Sequence, residues 1–158
     1  MFSIIDILKT KVDTKLEKFS HICLISTEKL VKMHKNNKFT VIGLNSGKIR
    51  YNNKFINTHA EIKALKNLMH KMRKYNVKKI NINILVLRFT CDGNTNNSAP
   101  CHHCCMELNK YKNLGININF IYYSDSNNNI RVLKVDEYLL EEKYVTKGWS
   151  NLKLYKKN

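Results

Sequence analysis

The sequence predicts a single α/β domain, built as a three-layer α/β/α sandwich around a mixed five-stranded sheet. Three observations carry this prediction. The β-branched, apolar run Ile80–Phe89 is typical of a central strand. Helical periodicity precedes and follows it, over Thr58–Tyr75 and Cys101–Lys112, and strands that alternate with helices favour a layered α/β architecture. The length of 158 residues suits one hydrophobic core, which we place at residues 39–135.

The chain before this core is expected to be helical. Apolar residues recur near a helical period between Thr10 and Lys35, which predicts an N-terminal helix over residues 10–36. Met1–Lys11 has an apolar patch but neither a basic region before it nor a small-residue cleavage site, so no secretory signal is expected. No apolar run approaches the roughly 20 residues of a membrane span. We therefore expect an intracellular protein, cytoplasmic by default, with no membrane partner.

A hairpin is expected at the start of the core. The apolar run Phe39–Leu44 predicts a strand, and Asn45–Gly47 predicts a turn. Lys48–Tyr51 is expected to return as the paired strand. Lys54–Asn57 is expected to be a loop.

The core is expected to end in a second hairpin. Gly115 should end the preceding helix. Strands are predicted over Ile116–Tyr123 and Ile130–Val135, joined by the short polar turn Ser124–Asn129. Because so few residues cannot hold a crossover helix, these two strands should be antiparallel. A last helix over residues 136–144, within a C-terminal segment 136–158, completes the prediction.

The charge of the chain favours a partner that carries phosphate. There are 28 basic and 12 acidic residues, which gives a formal net charge of +16. Such a charge is typical of proteins that bind polyanions, single-stranded nucleic acid included. Arginine, the side chain best suited to bidentate phosphate contacts, is scarce. The abundance of Lys, Asn and Ile also matches coding by an A/T-rich genome, so part of the charge reflects composition rather than function.

Two short motifs carry the chemistry. They are T-H-A-E at residues 58–61 and P-C-H-H-C at residues 100–104. Together they give H-x-E … P-C-x-x-C, the signature of zinc-dependent nucleobase deaminases. The imidazole of His59 and the thiolates of Cys101 and Cys104 would form a three-ligand zinc site. A fourth position left to water distinguishes a catalytic zinc from a structural one.

Both motifs lie at predicted helix starts. Thr58 resembles an N-cap, with Glu61 three residues later as in a capping box. Pro100 suits the first turn of a helix, where its missing N–H costs nothing. Helix N-termini stabilise thiolates, and residues three apart share a helix face, so both sulfurs can reach one ion. Glu61 is expected to carry protons between the attacking water and the leaving amine, without binding the metal.

The other cysteines and histidines near the motifs have different expected roles. An odd count of five cysteines argues against a disulfide framework. Cys23 and Cys91 are expected to pack as small apolar side chains. Cys105 should point away from the metal. The alternative of a structural zinc site would need a fourth protein ligand from His102 or His103, but a tight helical turn should aim both away from the ion.

These residues resemble the cytidine deaminase-like superfamily, over roughly Phe39–Val135. The resemblance implies a cytidine deaminase-like fold and zinc as the cofactor. It also implies that the metal ligands and the proton shuttle are those that the motifs indicate. Substrate contacts are implied for Asn45, which follows the first predicted strand, and for Ala60.

Within the superfamily, the short turn at residues 124–129 resembles the branch that includes cytidine and blasticidin deaminases and several toxin-type deaminases. Gly47 stands where free-cytidine deaminases carry an acid that grips the ribose. The stretches that begin at Ile84 and Ile121 resemble uncharacterised deaminase-like proteins of large DNA viruses and some eukaryotic microbes. A viral protein is therefore a further expectation.

The expected function is a zinc-dependent hydrolytic deaminase of cytidine or deoxycytidylate type, which acts in nucleotide metabolism on a cytosine-type nucleoside or nucleotide and releases ammonia. The hairpin branch favours a free nucleotide, and the net charge leaves single-stranded nucleic acid open. The alternative is a catalytically idle deaminase-fold protein, with a structural or nucleic-acid-binding role in a virus particle. An intact Glu61 argues against that alternative. Because relatives often complete one another's pockets, a homo-oligomer is a further option.

Overall fold

Three α-helices and eight strands occur in the described part of the computed structural model, which comprises residues 4–12, 19–35, 37–51, 54–90 and 92–135. The helices are α1 (Ile4–Val12), α2 (Ala60–Lys74) and α3 (His102–Asn113), and a 3-10 turn covers Leu30–Lys32. The strands are β1 (Phe19–Ser26), β2 (Val41–Leu44), β3 (Ser46–Tyr51), β4 (Lys54–Thr58), β5 (Ile80–Thr90), β6 (Thr95–Asn96), β7 (Ile116–Ser124) and β8 (Ile130–Lys134).

Six of these strands form one mixed sheet. Its order is β2-β1-β5-β7-β8, and the two-residue β6 pairs with β5. β5 and β7 are parallel, because α3 connects them as a crossover, and the other neighbours are antiparallel. β3 and β4 pair with each other as a separate two-stranded ribbon between β2 and α2. The predicted α/β class and mixed sheet are confirmed, with one short strand more than the five expected.

Helices cover both faces of the sheet. On β1, Cys23 and Ile25 pack in a cluster with residues of α2 and α3. Ile22 and Leu24 point the other way, into a second cluster that contains Leu8 of α1. The central strand β5 alternates between the same two clusters. The layers are therefore helix, sheet and helix, as the sequence predicts.

The predicted N-terminal helix over residues 10–36 is wrong. The structure places β1 inside that range, next to the central strand β5. Ile22, Cys23, Leu24 and Ile25 are each at most 1% exposed. A strand buried on both faces has an unbroken apolar run instead of an alternating one, so its sequence can be mistaken for a helix. The predicted C-terminal helix lies outside the described residues.

The predicted first hairpin is also wrong in its pairing. Val41–Leu44 pairs with β1, and the return strand predicted at Lys48–Tyr51 belongs to β3, whose partner is β4. β4 occupies the segment that the sequence predicts as a loop. The N-cap prediction is wrong by one residue, because α2 begins at Ala60 and its N-cap is His59, without a side-chain capping bond.

The described residues after α2 fold as predicted. β5 is the central strand, α3 begins directly after Cys101, and β7 and β8 form an antiparallel hairpin. Gly115 ends the α3 segment with φ +91°, a left-handed conformation that glycine adopts without strain. A Cβ at this position would lie 2.1 Å from the carbonyl oxygen of Lys78, so the close approach also requires glycine.

The outer edge of β2 is covered by side chains from α2. Asn67 donates a hydrogen bond to the Ile42 carbonyl oxygen (3.1 Å), and the Lys71 ammonium donates to the Thr40 carbonyl oxygen (2.9 Å). An edge strand with free carbonyls invites pairing with another chain. These two bonds occupy the edge and fix α2 against β2.

Gly43 sets the distance between β2 and α2, and we expect Gly43→Ala to destabilise the fold. A Cβ there would lie 2.2 Å from the carbonyl oxygen of Ala60 and 2.5 Å from the backbone nitrogen of Ala64. Because both atoms are backbone, the helix itself must shift, and we expect a loss of about 3 kcal/mol in the free energy of unfolding. Urea denaturation measures this. Leu44→Ala, at a 38% exposed position of the same strand, should cost less than about 1 kcal/mol. Equal losses in the two variants would contradict the close-packing argument.

Among the described residues, no helix combines the length and the apolar character that crossing a membrane requires.

Candidate metal centre

One histidine and two cysteines converge where α2 and α3 begin. The Nδ1 atom of His59 lies 3.1 Å from the Sγ atom of Cys104 and 3.4 Å from the Sγ atom of Cys101. The ligand atoms of all three residues lie within 4.8 Å of one another. This is the trio that the motif spacing predicts.

The local backbone explains the convergence. His59 is the N-cap of α2, and Cys101 is the N-cap of α3, both with extended backbone (φ −72° and −73°). Cys104 follows in the first turn of α3, on the same face as Cys101. The two helices therefore present three donor atoms from their positive ends, where thiolates are stabilised.

The donor set fits a tetrahedral metal ion. With Zn–N and Zn–S bonds near 2.1 and 2.3 Å, a tetrahedral site places nitrogen and sulfur about 3.6 Å apart. The two nitrogen–sulfur distances are within about half an ångström of that value. Cys101 and Cys104 are 2% and 0% exposed, and they pack with Ile62. Two thiolates and an imidazole can hold an ion such as zinc here, with one position left for a further ligand.

The charges of the trio depend on one another. A hydrogen bond from the Cys104 thiol, assisted by His59, lowers the pKa of Cys101 to about 4. The same bond to Cys101, together with burial, raises the pKa of Cys104. Burial alone would lower the pKa of His59, but its hydrogen bond to Cys101 and the charge there raise it. Within the trio, Cys101 is therefore the thiol that loses its proton most readily.

Glu61 lies beside the trio, in the first turn of α2. Its side chain is 4% exposed, and its Oε2 atom has no hydrogen-bond partner among the described residues. Burial raises the pKa of Glu61, although a hydrogen bond with Cys104 acts in the opposite direction. An unpartnered carboxylate oxygen in a buried site is costly unless another group uses it. Glu61 therefore brings a buried carboxyl group to the edge of the trio.

The neighbouring cysteine and histidines lie outside the trio. Cys105 donates a weak hydrogen bond from Sγ to the Pro100 carbonyl oxygen (3.7 Å), which turns it away from His59. The ring of His103 lies edge-on to that of His59, with 6.3 Å between the centroids. In the part of the chain that the structure describes, the grouped metal donors are His59, Cys101 and Cys104, without His102 or His103.

Asn45 holds the end of the strand that borders the site. Its Oδ1 atom accepts a hydrogen bond from the backbone N–H of His21 (3.0 Å), and its own N–H donates to the His21 carbonyl oxygen (3.1 Å). One lone pair of the side-chain oxygen is therefore used by the backbone of β1, while the Nδ2 group can only donate. Ala60 is 0% exposed and packs in the core, so a substrate contact from it would come from its backbone.

His21 is a site residue that the sequence prediction missed. It stands opposite Arg88 in the β1–β5 pair, on the same side of the sheet as Cys23, Val86 and the two site helices. Burial, then the charges of Arg88 and His59, lower the pKa of His21 to about 4, so its imidazole is neutral near pH 7. A correct prediction of β1 would have identified His21 as a candidate. A histidine near the N-terminal end of β1 lies next to the C-terminal ends of β2 and β5.

Comparisons with known proteins assign no family to the chain: no protein-family model matches it, and a search of curated proteins finds no similar sequence.

Proposed function

We propose that this protein is a zinc-dependent hydrolytic deaminase of a cytosine-type nucleoside or nucleotide, with a cytidine deaminase-like fold. The observation that carries the proposal is the buried, unpartnered oxygen of Glu61 beside the His59–Cys101–Cys104 trio. A site that only held metal for stability would have no use for this carboxylate. A hydrolytic site needs such a group, because protons must move from water to the departing amine.

The order of elements supports the family part of the proposal. The helix that begins within the H-x-E motif and the helix that begins within the P-C-x-x-C motif pack on one face of the sheet. In the sequence, β5 lies between these two helices. The antiparallel β7–β8 pair agrees with the branch that includes cytidine deaminases. These features are the ones that the sequence resemblance implies.

Each residue has a role in the proposed reaction. His59, Cys101 and Cys104 would bind zinc, which supplies hydroxide at neutral pH by lowering the pKa of a coordinated water to about 7. Glu61 would take one proton from the attacking water and deliver it to the ring nitrogen. It would then take the second proton from the new hydroxyl group on the ring carbon and deliver it to the amine, which leaves as ammonia. Its raised pKa favours this exchange, since a carboxyl group that is too acidic holds a proton poorly.

The substrate would lie against the ends of β1 and β2. The Nδ2 donor of Asn45, the backbone of Ala60 and the neutral ring of His21 would provide hydrogen-bonding groups of the kind that a base and a sugar require. The surplus of positive charge over the chain favours a substrate that also carries phosphate. A free nucleotide is therefore the proposed substrate class, and a single-stranded polynucleotide is the competing one.

We expect His21→Ala to raise KM for the preferred substrate by about five- to tenfold, the worth of one hydrogen bond. The value of kcat should change less, because the residue would contact the substrate without moving protons. Steady-state kinetics of ammonia release measure both constants. His70→Ala, at an exposed position of α2, is the matched control. A KM that is unchanged in His21→Ala would exclude this residue from the pocket.

Ammonia release tests the function itself. The zinc-loaded protein is incubated with cytidine, deoxycytidine, their monophosphates, adenosine and cytosine-containing single strands. Turnover of a cytosine compound is the expected result, with steep salt dependence only if the polymer is the substrate. Stoichiometric zinc without turnover of any compound would overturn the proposal. That outcome would favour the idle, structural or nucleic-acid-binding alternative, including a role in a virus particle.

A further inference from the structure

Four polar residues join the loop before Cys101 to the turn between β7 and β8. We call them the loop clamp: Thr95, Ser98, Ser124 and Asn128. Thr95 and Ser98 are each 3% exposed, and Ser124 is 0% exposed. Ser98 lies three positions before the metal-binding Cys101, and Ser124 and Asn128 belong to the C-terminal hairpin. The clamp therefore connects two segments that are distant in sequence.

The two serines form the buried half of the loop clamp. The Ser98 hydroxyl donates to the Val86 carbonyl oxygen (2.7 Å) and accepts from the Ser124 N–H (2.8 Å). The Ser124 hydroxyl donates to the Asn96 carbonyl oxygen (2.7 Å), and the Ser98 N–H donates to the Ser124 carbonyl oxygen (3.0 Å). Each hydroxyl proton has its own acceptor. A buried network that is satisfied in this way fixes its members in one arrangement.

Thr95 and Asn128 form the outer half. The Oδ1 atom of Asn128 accepts from both the N–H (2.7 Å) and the hydroxyl (2.8 Å) of Thr95. Asn128 has φ +59°, a left-handed conformation that asparagine tolerates better than most residues. The left-handed backbone at Asn128 thus accompanies a side chain that reaches from the turn to Thr95 in the loop.

The position of this network suggests a purpose beyond packing. The loop between β5 and α3 must deliver Cys101 to within bonding distance of an ion that His59 holds from another helix. The β5 end of the loop is fixed by the sheet, and its α3 end is held by the packing of Cys105 and Leu108 in the core and by contacts made by the loop itself. The loop clamp supplies those contacts up to Ser98, and Ala99 and Pro100 are then the two residues left between it and the ligand.

We infer that the loop clamp positions Cys101 for the metal, so that the β7–β8 turn sets the affinity of the site. The inference rests on the proposed zinc site, and it assigns a task to the short turn. The four residues are positioning residues, because they act on the metal through Cys101 and do not contact it. Loss of groups that orient metal ligands typically lowers metal affinity by 10- to 100-fold.

The test compares metal binding in three single variants. Ser98→Ala removes the central hydroxyl, and Ser98→Thr retains it. Asn128→Gly removes the oxygen that accepts from both the N–H and the hydroxyl of Thr95, and it leaves the hydroxyl its second acceptor, the Asp125 carbonyl oxygen (3.2 Å). Glycine adopts a left-handed backbone freely, so this variant should fold. Ser126→Ala, at an exposed position of the same turn, is the control. Zinc affinity is measured by competition with a chromophoric chelator, and Co²⁺ spectra report the ligand geometry through thiolate charge-transfer and d–d bands.

We expect Ser98→Ala and Asn128→Gly to bind zinc 10- to 100-fold more weakly, with altered Co²⁺ bands. Ser98→Thr should restore much of the affinity, and Ser126→Ala should match the unmodified protein. If the two variants lost thermal stability but kept zinc affinity and Co²⁺ bands unchanged, the loop clamp would be a packing feature alone and the inference would fall. If the unmodified protein bound neither metal, the proposed function itself would fall, which separates the two failures.

Discussion

Glu61→Gln is expected to lower the rate of ammonia release on the order of a thousandfold while leaving zinc content unchanged. The amide has nearly the same size as the carboxyl group, but it cannot accept the proton that the attacking water must lose. Because the volume of this buried side chain is kept, the fold should be retained. Initial rates at saturating substrate, together with metal analysis of the same samples, measure both expectations.

Glu107→Gln is the matched control for this change. Glu107 lies on α3 and pairs with Lys110 at the protein surface, outside the metal trio. Its substitution should leave the rate within about twofold, because exposed ion pairs contribute little. A Glu61→Gln protein that kept its activity would show that another group moves the protons. One that lost its zinc would show instead that Glu61 takes part in metal binding.

Cys104→Ala is expected to abolish both zinc binding and turnover. It removes a fully buried donor that lies 3.1 Å from the Nδ1 atom of His59. Two remaining ligands cannot hold zinc against a chelator, and we expect the affinity to fall by at least about a thousandfold. The melting temperature of the unmodified protein should drop when a chelator removes the metal, whereas that of the variant should not respond.

Cys105→Ala tests whether the effect belongs to the trio or to any buried thiol of α3. Cys105 is also buried, but its sulfur faces the Pro100 carbonyl oxygen. Its loss should reduce stability slightly through a small cavity and leave zinc content intact. Equal zinc loss in Cys104→Ala and Cys105→Ala would mean that Cys105 also contributes to metal binding. Zinc retention by Cys104→Ala would remove Cys104 from the site.

The metal ligands were predictable from the sequence because they lie in two short motifs. Cys101 and Cys104 are separated by one helical turn, which places both on one face of α3. His59 and Glu61 were identified by the H-x-E motif that they form. The strand β5 was equally clear, since its apolar run is long and bounded by polar segments. The β7–β8 pairing followed from the shortness of the connection, which excludes a crossover.

The strand β1 and its pairing with β2 were not predictable in the same way. β1 is buried on both faces, so its sequence lacks the alternation that identifies a strand. β2 pairs with β1. The composition of Lys48–Tyr51, after the turn at Asn45, would also suit a strand paired with β2, so composition alone does not identify the partner. Pairing of this kind depends on which apolar faces can be buried together, a property of the whole sheet. The position of His21 beside the candidate metal centre follows from the pairing of β1 with β5. Because β1 was not predicted, this position of His21 was not predicted either.

The separation of the donor atoms along the chain has a consequence for folding. His59 and Cys104 are 45 positions apart, and α2 and β5 lie between them. An unfolded chain would have to close this long loop to gather the donors, which costs about 3 kcal/mol in chain entropy. Zinc should therefore bind the native chain far better than the unfolded one. Zinc bound at the trio would then shift the folding equilibrium toward the native chain, by an amount that grows with the concentration of free zinc.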